Sequence, residues 1–321
     1  MRAALVETIG EPPVPGEWGD PERGEGQALV DVRAAPINPI DVATASGRFY
    51  GGTPDAPYVP GVEGLGVVSE GERFGPGTRV YLSTSEASNG SFATRVAVPE
   101  EALIEVPDGA DDPLAAALGV AGLAAWVPLA VKAEVGAGDR VLVLGASGAV
   151  GTIGVQVAKA LGAERVVAAA RDAEALERLR DLGADATVRI GDHGDLAAAF
   201  QEAAGGPVDV TLDPVWGEPA TAAIAAAAAG GCLVNIGQSA GAEATFPSAA
   251  VRSKELRILG HTNMALAPAN KAEAYRTLVG HAAAGRIRLE IETFGWDGVT
   301  NAWRRQAEFP RGKLVLVPDG A

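Results

Sequence analysis

The spacing of apolar residues changes about one third of the way along the chain. Up to about residue 110, apolar runs are short and several alternate with polar residues, as in QALVDVRA at residues 27–34. Such alternation is typical of half-buried strands, and the frequent Pro and Gly between runs predict turns. From residue 139 onward, short β-branched runs alternate with longer segments of helical spacing. This order predicts an α/β protein with an open parallel sheet and helices on both faces.

The same spacing assigns individual elements. In the first part, strands are predicted at residues 2–6, 27–34, 59–68 and 76–82, and a short helix at 41–46. In the second part, the predicted strands are 141–144, 166–170, 187–190, 208–212, 232–236 and 256–259. The predicted helices are 112–131, 152–161, 173–182, 195–203, 220–229 and 269–284, and a strand at 313–317 closes the chain. No apolar run is expected to approach membrane-spanning length.

A glycine-rich turn, GASGAVG, joins the predicted strand at 141–144 to the helix after it. Glycines at positions 145, 148 and 151 allow a tight turn and let backbone N–H groups approach a pyrophosphate, while the helix N-terminus adds partial positive charge. Glycine patterns also occur in ordinary βα turns, but here the flanking strand and helix are those that the mechanism requires. We therefore expect a nucleotide site whose binding residues are Gly145, Ser147, Gly148, Ala149, Val150 and Gly151.

The end of the next strand bears on the choice between NAD and NADP. An NAD-specific site offers an acidic side chain there, but this chain has Ala170 followed by Arg171. A guanidinium at Arg171 can pair with a 2′-phosphate, so we expect NADPH as the cofactor. Asp172 complicates this expectation unless its carboxylate caps the next helix through the N–H groups of Glu174 and Ala175. The alternative for Arg171 is a solvent-exposed arginine at a strand end.

Composition narrows the class of protein. The 321 residues are 47% hydrophobic and 21% charged, which is typical of a globular chain long enough for two domains. The formal net charge of −15 argues against nucleic acid and anionic membranes as partners. Cys232 is the one cysteine, so an internal disulfide is excluded and a buried structural thiol is expected. Because the first residues lack the apolar core of a signal peptide, we expect a cytoplasmic protein.

Several motifs together resemble one known family. They are AAPINPIDV (34–42), VPGVEGLGVV (59–68), GSFATRVAVP (90–99), AGLAAW (121–126), GASGAVGTIGVQVAKALGA (145–163), VDVTLDPVWG (208–217) and GKLVLVP (312–318). Over nearly its whole length the chain resembles the zinc-free quinone oxidoreductase branch of the medium-chain dehydrogenase/reductase superfamily. The resemblance implies a doubly wound Rossmann domain, residues 116–260, inserted between two parts, 1–115 and 261–321, of a β-rich GroES-like catalytic domain.

The resemblance also bears on metal binding. Zinc-using relatives place a cysteine where this chain has Asn38 and a histidine where it has Val62. Glu63 and Asp41 alone cannot complete a tetrahedral zinc site, and the three histidines are scattered without ligand spacing. We therefore expect no metal. Glu63 is interpreted as a structural carboxylate satisfied by backbone donors, because a buried unpaired charge would be costly.

Two catalytic residues are implied by the resemblance. Asn38 is expected near the nicotinamide, where its amide would donate to the acceptor oxygen. Tyr50 resembles the family's active-site tyrosine but is displaced by one position, with Phe49 at the usual offset. Either ring would form a wall of the substrate pocket, and the alternative is an aromatic core residue.

Further cofactor contacts follow from the same resemblance. The family lines its nicotinamide pocket at positions that match Gly237, Gln238 and Asn263. The chain departs from the family at three other positions, which leaves Arg171 as the main support for NADPH. These three positions are Ala124, Ala175 and Ile190.

The expected function follows from hydride chemistry without a metal. A carbonyl oxygen without a Lewis acid has little to stabilise a developing alkoxide, whereas a conjugated acceptor delocalises the charge into an enolate or hydroquinone anion. We therefore expect NADPH-dependent hydride transfer to a quinone or related small conjugated carbonyl. Two alternatives stay open: an enoyl or enone reductase acting on 2-alkenals or enoyl thioesters, and a non-catalytic NADPH-binding protein.

The last predicted strand of the parallel sheet, LRIL at residues 256–259, bears on assembly. As the final strand it should lie at the edge of the sheet, and an exposed apolar edge is hazardous unless it is covered or paired. Antiparallel pairing of two such edges gives a closed two-fold contact, so we expect a homodimer. The alternative is an edge shielded by the chain's own loops and guarded by Arg252, Lys254 and Arg257.

Overall fold

The chain forms two compact units. A computed structural model describes residues 1–84, 89–308 and 310–318. The first unit comprises Met1–Val120, Pro268–Ala284 and Glu290–Ala321, and the second comprises Ala121–Ala267 and Gly285–Leu289. The change from one unit to the other thus falls a few residues later than the domain boundaries expected at 115 and 260, and residues 285–289 return to the second unit.

The strands and helices have the following bounds. The strands are β1 (Arg2–Leu5), β2 (Val14–Glu17), β3 (Gln27–Pro36), β4 (Glu63–Glu70), β5 (Arg79–Ser83), β6 (Arg95–Pro99), β7 (Leu103–Glu105), β8 (Arg140–Leu144), β9 (Arg165–Ala170), β10 (Ala186–Arg189), β11 (Val208–Asp213), β12 (Ala227–Asn235), β13 (Arg257–Gly260), β14 (Ile291–Phe294) and β15 (Lys313–Leu316). The helices are α1 (Pro39–Ala45), α2 (Asp112–Ala117), α3 (Leu123–Trp126), α4 (Ala149–Ala160), α5 (Ala173–Asp181), α6 (Leu196–Ala204), α7 (Gly217–Ala226), α8 (Ser248–Ser253), α9 (Pro268–Ala283) and α10 (Val299–Ala307).

The second unit is built on a parallel sheet. Its strand order is β10-β9-β8-β11-β12-β13, and every pair within it is parallel. The order reverses between β8 and β11, and in such sheets ligands bind beyond the carboxyl ends of the strands at this reversal. The β-branched runs fit this position because the strands are buried on both faces, as the fully buried Val141–Leu144 illustrates. The expected α/β fold class with a Rossmann sheet is confirmed.

The first unit is β-rich. Its main sheet has the order β14-β15-β3-β4-β5-β7, with β6 paired to β3, and β1 and β2 form a separate antiparallel pair. The long strand β3 pairs with β4, β6 and β15, so it connects the first part of the chain to its end. One core is built from these strands and α10, and its largest buried side chain is Trp296.

Several stretches differ from the sequence predictions. The alanine run expected to remain helical to residue 229 ends its helix at Ala226, and β12 begins at Ala227, which pairs with Val208. The helix propensity of alanine is only a weak preference, and the pairing of Ala227 with β11 outweighs it. Strands β2 and β14 and helices α8 and α10 are outside the predicted elements. Helix α10 has a sequence signal, since its buried residues Val299, Ala302, Trp303 and Gln306 follow helical spacing.

One helical stretch corrects the expectation on membrane spans. Residues Asp112–Lys132 are long and apolar enough to cross a membrane by length and composition, with a mean hydropathy of 2.1. The stretch consists of α2, α3 and the π-helical turns Leu118–Gly122 and Val127–Lys132. Because 67% of its apolar window is buried inside the protein, it also fits the pattern of a core helix.

Candidate active site

In the turn after β8, each of the three glycines is required, or is suited to its position, for a different steric reason. Gly145 has a φ of +57°, and a Cβ there would lie 2.8 Å from Val215 Cγ1. At Gly148 a Cβ would meet only Gly145 O, at 3.6 Å, so this face of the backbone is open to an approaching group. At Gly151 a Cβ would lie 2.5 Å from both Ala146 Cα and Gly145 O, so only glycine lets α4 pack this closely on the turn. These are the three glycine roles of a dinucleotide-binding turn.

The N-terminus of α4 is available to an anion. Gly148 is the N-cap residue, in an extended conformation, and no side chain caps the helix. The first N–H groups of a helix have no partner within it, and they carry the positive end of its dipole. Thr152 Oγ1 donates to Ala146 O at 3.1 Å and so ties the helix to the turn. Together, the open Gly148 backbone and the uncapped helix fit a pyrophosphate.

The end of β9 brings together two arginines. Arg171 is exposed, and Asp172 Oδ1 accepts from Ala175 N at 3.1 Å as the N-cap of α5, which confirms the capping alternative. Arg189 was missed by the sequence analysis. It lies opposite Ala170 in the β9–β10 register, and its Nε donates to Arg171 O at 3.1 Å. This contact joins residues that are 18 positions apart in the sequence, so no local sequence pattern predicts it.

The loops after β11 and β12 are tied to each other. Asn235 Nδ2 donates to Asp213 Oδ2 at 3.2 Å and to Gly237 O at 2.7 Å. A Cβ at Gly237 would lie 2.6 Å from Pro214 O, so the two loops pack backbone to backbone. Gln238 is exposed in this loop. The position of Gly237 and Gln238 beyond the strand ends fits a ligand site, although their cofactor contacts remain a prediction.

Asn263 begins a short 3-10 turn after β13. Its Oδ1 lies 2.8 Å from His261 Nε2. Burial is the main cause that lowers the pKa of His261, which therefore favours the neutral imidazole. His261 accordingly has a hydrogen-bond partner of its own, as a structural histidine does. The contact of Asn263 with a cofactor remains a prediction.

The first unit contains a buried polar cluster, which we define as Asn38, Asp41, Glu63, Tyr81 and Lys313. Each of these side chains is at most 3% exposed. Lys313, the first residue of β15, donates from Nζ to Asn38 Oδ1. Asn38 Nδ2 donates to Glu63 Oε1 at 2.9 Å, and Tyr81 OH donates to Glu63 Oε2 at 3.0 Å. The Asp41 carboxylate accepts from the N–H groups of Asn38 (2.8 Å) and Val62 (3.0 Å).

Burial determines the protonation of this cluster. It raises the pKa of the Asp41 carboxyl to about 7, although two backbone donors and the charge of Lys313 lower it. Burial also raises the pKa of Glu63 and lowers the pKa of the Lys313 ammonium. Two carboxyl groups thus share one ammonium, and a proton is retained on the cluster up to about neutral pH.

The hydrogen bonds of Asn38 and Glu63 bear on their expected roles. Both N–H donors of the Asn38 amide are engaged inside the unit, one with Glu63 and the other with Pro36 O at 3.1 Å. A direct hydrogen bond from Asn38 to an acceptor oxygen does not fit this arrangement, so Asn38 acts here as a link between Lys313 and Glu63. The Glu63 carboxylate is fully hydrogen-bonded, which fits the expected structural role. Its donors are one backbone group, Val120 N at 2.6 Å, and two side chains, rather than backbone groups alone.

The expected tyrosine lies on the surface. Tyr50 is 84% exposed, so the alternative of an aromatic core residue is wrong. Its ring lies 4.6 Å from the Phe49 ring, centroid to centroid, and Phe49 is half-buried. A wall role for either ring remains a prediction.

The donor set of the cluster does not fit zinc. The amide oxygen of Asn38 accepts from an ammonium, and that cation would repel a metal ion at the same oxygen. Zinc requires thiolate, imidazole or carboxylate ligands in a tetrahedral set. Among the residues that the structure describes, no group of three or more His, Cys, Asp and Glu is arranged to hold a metal.

Comparisons with known proteins place the chain in a family. Residues 24–108 match the family model described as alcohol dehydrogenase GroES-like domain, and residues 149–280 match the one described as zinc-binding dehydrogenase. The quinone oxidoreductase of Thermus thermophilus, solved also in complex with NADPH, aligns with 29% identity and a TM-score of 0.83, covering 99% of this chain and 100% of that one. The chain belongs to the medium-chain dehydrogenase/reductase superfamily. Within the superfamily it falls in the quinone oxidoreductase branch.

Curated relatives in this superfamily match over part of their own length. A phenolphthiocerol/phthiocerol polyketide synthase of Mycobacterium tuberculosis is 30% identical over 302 residues, which are 90% of this chain and 13% of that protein. The chloroplastic NADPH-dependent alkenal/one oxidoreductase of Arabidopsis thaliana is 36% identical over 178 residues, which are 52% of this chain and 46% of that protein. The chain therefore spans about half, or far less, of these relatives.

Proposed function

We propose that this protein is an NADPH-dependent reductase that transfers a hydride to a quinone or related small conjugated carbonyl without a metal ion. The observation that carries the proposal is the buried polar cluster, in which the Asn38 amide stands where zinc-using relatives have a cysteine and accepts from the Lys313 ammonium. Acceptors that spread the new negative charge over a conjugated system need a Lewis acid least. The names of the quinone oxidoreductase and alkenal/one oxidoreductase relatives support the same chemistry.

Bound NADPH supplies the hydride. The residues of this chain bind and orient the cofactor. The backbone of Gly145–Gly151 and the N-terminus of α4 would hold the pyrophosphate, because the open face at Gly148 permits close approach. Gly237, Gln238 and Asn263 lie beyond the carboxyl ends of β12 and β13, where they would border the nicotinamide end.

The preference for NADPH rests on Arg171 and Arg189. A 2′-phosphate carries charge that guanidinium groups bind well, and two of them lie at the end of β9. The guanidinium of Arg189 also pairs with Asp192, Nη1 to Oδ2 at 3.3 Å, so Arg171 is the main candidate for the phosphate. Asp172, the nearest carboxylate in sequence, already accepts from Ala175 N. Its use as a helix cap removes the main objection to a phosphate at this position.

The test of the function is a comparison of acceptors. NADPH oxidation would be followed with 9,10-phenanthrenequinone, 2-hexenal and crotonyl-CoA, after treatment of the protein with a chelator and elemental analysis for zinc. We expect turnover with the quinone and no stoichiometric zinc. Turnover confined to crotonyl-CoA would instead identify an enoyl thioester reductase, and binding of NADPH without turnover would identify a non-catalytic protein.

A second acceptor class is supported by one observation. The Arabidopsis relative is named as an alkenal/one oxidoreductase. Alkenals accept hydride at the β-carbon and yield an enolate. The negative charge of the enolate is delocalised, as in a hydroquinone anion, so it can likewise form without a metal ion. The 2-hexenal reaction in the acceptor comparison tests this candidate. A cytoplasmic location and a homodimeric state are further predictions.

A further inference from the structure

Asp213 is a buried carboxylate at the carboxyl end of β11. It is fully buried, and in the register of the parallel sheet it lies opposite Asn235, the last residue of β12. Its Oδ1 accepts from Val215 N at 2.9 Å and from Trp216 N at 2.8 Å, and its Oδ2 accepts from Asn235 Nδ2 at 3.2 Å. One side chain thus holds both the loop after its own strand and the end of the neighbouring strand.

Among the described residues that donate to this carboxylate, none does so through a charged group. The donors are N–H groups, and burial raises the pKa of the Asp213 carboxyl because these donors offset the loss of water only in part. Burying a carboxylate without a cation costs free energy that an amide in its place would avoid. Hydrogen bonds to a charged acceptor are stronger than neutral ones, so the carboxylate holds the two segments more firmly than an amide would.

The loop after β11 has a backbone conformation that its residue type disfavours. Trp216 has a φ of +58° and a ψ of −155°, a region that is open to glycine and crowded for a residue with a large side chain. Its N–H group is bonded to Asp213, and its ring packs edge to face on the Phe246 ring, with 5.5 Å between centroids. Such conformations persist where the surrounding contacts impose them, and they are common at ligand sites.

This loop packs against the glycine turn after β8. A Cβ at Gly145 would lie 2.8 Å from Val215 Cγ1 and 3.1 Å from Pro214 Cγ, so these two side chains cover that face of the turn. Val215 is positioned through its backbone, because its N–H group is bonded to Asp213. A shift of Val215 would therefore move the wall against which the pyrophosphate-binding turn packs.

The same carboxylate reaches the loop after β12 through Asn235. The Asn235 side-chain nitrogen donates to Asp213 Oδ2 and also to Gly237 O, at 2.7 Å. Because a carboxylate has no hydrogen to donate, it determines that the nitrogen of the Asn235 amide faces both acceptors. A second bond, from Ala240 N to Val215 O at 2.7 Å, also joins the two loops. Gly237 belongs to the loop that would border the nicotinamide end of the cofactor.

We propose that Asp213 is a positioning residue for the cofactor, which holds the glycine turn and the loop after β12 in one arrangement that fits both the pyrophosphate and the nicotinamide end. The inference rests on the proposed function, and in particular on NADPH binding. Because its side chain is fully buried, Asp213 acts through these loops and not by contact with the cofactor. All of these segments lie in the second unit, at the carboxyl ends of its strands.

Two substitutions separate the two sides of the carboxylate. Asp213→Asn keeps an oxygen for the N–H groups of Val215 and Trp216 but turns an NH₂ group toward the Asn235 nitrogen, so it should release the loop after β12 alone. We expect it to weaken NADPH binding about tenfold or more, as for the loss of a hydrogen bond to a charged group. Binding of 2′-phospho-ADP-ribose, which lacks the nicotinamide, should stay near that of the wild type. Asp213→Ala should release both loops and weaken the binding of both ligands.

Asp209→Asn is the matched control. Asp209 lies near the amino end of β11, where its Oδ2 accepts from Arg140 N at 2.9 Å, in the adjacent strand β8. It is likewise a carboxylate bonded to a backbone N–H group of the same sheet, but at the end opposite to the cofactor site. Asp209→Asn should therefore keep wild-type affinity for NADPH, whatever its melting temperature. Calorimetry gives the dissociation constants at a temperature at which circular dichroism shows every variant folded, so that a change in stability alone leaves them unchanged.

Asn235→Ala tests the same link with the carboxylate left in place. It removes the bond to Gly237 and should reproduce the ligand dependence of Asp213→Asn, so the proposal stays testable if Asp213→Ala does not fold. Wild-type NADPH affinity in folded Asp213→Asn and Asn235→Ala would overturn the proposal, and so would an equal loss for both ligands in these two variants.

The wild type separates this inference from the proposed function. A wild type that binds no NADPH would overturn both together. NADPH binding without turnover of any acceptor would overturn the proposed catalysis, and the ligand dependence of the Asp213 variants would still decide the inference. Turnover by the wild type with unchanged NADPH affinity in the folded variants would overturn the inference alone.

Discussion

At the scale of single residues, the buried polar cluster joins one cation to a carboxyl group through the amide of Asn38. Lys313 supplies a buried positive charge and donates to the side-chain oxygen of Asn38. The side-chain nitrogen of Asn38 in turn donates to Glu63. Asn38 and Val62 in the sequence argue against a zinc site, but no local pattern predicts that Lys313 donates to Asn38. Lys313 is 275 residues from Asn38, and their contact arises from the pairing of β15 with β3.

The raised pKa of Asp41 predicts a pH dependence of stability. The folded protein holds the Asp41 proton up to about pH 7, whereas the ordinary pKa is 3.8. The folded state therefore binds more protons than the unfolded state in this window, so Asp41 lowers the free energy of unfolding as pH rises from about 4 to about 7. At about 1.4 kcal/mol per pH unit, the effect is at most about 4 kcal/mol.

Chemical denaturation across this window measures the effect. Asp41→Asn has no titrating group at this position, so its free energy of unfolding should fall less steeply with pH than that of the wild type. Because the asparagine loses one acceptor for two N–H groups, the variant should be less stable at pH 4. Parallel pH curves for the two proteins would show that Asp41 does not titrate in this window.

The two arginines at the end of β9 predict the cofactor preference. NADPH should bind more tightly than NADH, and Arg171→Ala should remove most of the difference. Arg189→Ala should remove part of it, because Arg189 also holds the Arg171 backbone through its Nε. Fluorescence titration with both cofactors measures these affinities, and Arg178→Ala, on the exposed face of α5, is the control. A wild type that prefers NADH would disprove the argument.

At the scale of elements, regular spacing made some of the fold predictable. The glycine turn, the capped start of α5 and the alternation from β8 to β12 follow from local patterns, and the structure has them within a few residues. Local patterns do not predict the strand within the alanine run, the Arg171–Arg189 contact or the Lys313–Asn38 contact. They depend on sheet pairing and on packing between segments far apart in sequence, which no local pattern encodes.

The glycine turn offers a matched pair of substitutions. Gly151→Ala places a Cβ 2.5 Å from two backbone atoms that cannot move aside, so it should destabilise the protein by about 2 kcal/mol and weaken NADPH binding. Gly148→Ala meets only Gly145 O at 3.6 Å and should leave the melting temperature nearly unchanged, yet it should weaken NADPH binding because the methyl group blocks the pyrophosphate. Unchanged NADPH affinity in Gly148→Ala would mean that the pyrophosphate lies elsewhere.

At the scale of the whole molecule, β13 predicts a homodimer. It is the last strand of its sheet and pairs within the chain with β12 alone among the described strands. Its side chains are largely exposed, and Ile258 is 36% exposed; Val131 and Met264 in the same unit are 60% and 65% exposed. Antiparallel pairing of two β13 strands about a two-fold axis would satisfy the free backbone groups and cover apolar side chains.

Light scattering at low micromolar concentration should therefore give twice the mass of the chain. Ile258→Lys should shift it to the monomer mass by setting like charges against each other across the axis, whereas Ile9→Lys, at an exposed apolar residue of the other unit, should not. A wild-type monomer, or a dimer that survives Ile258→Lys, would show that this edge is not the interface.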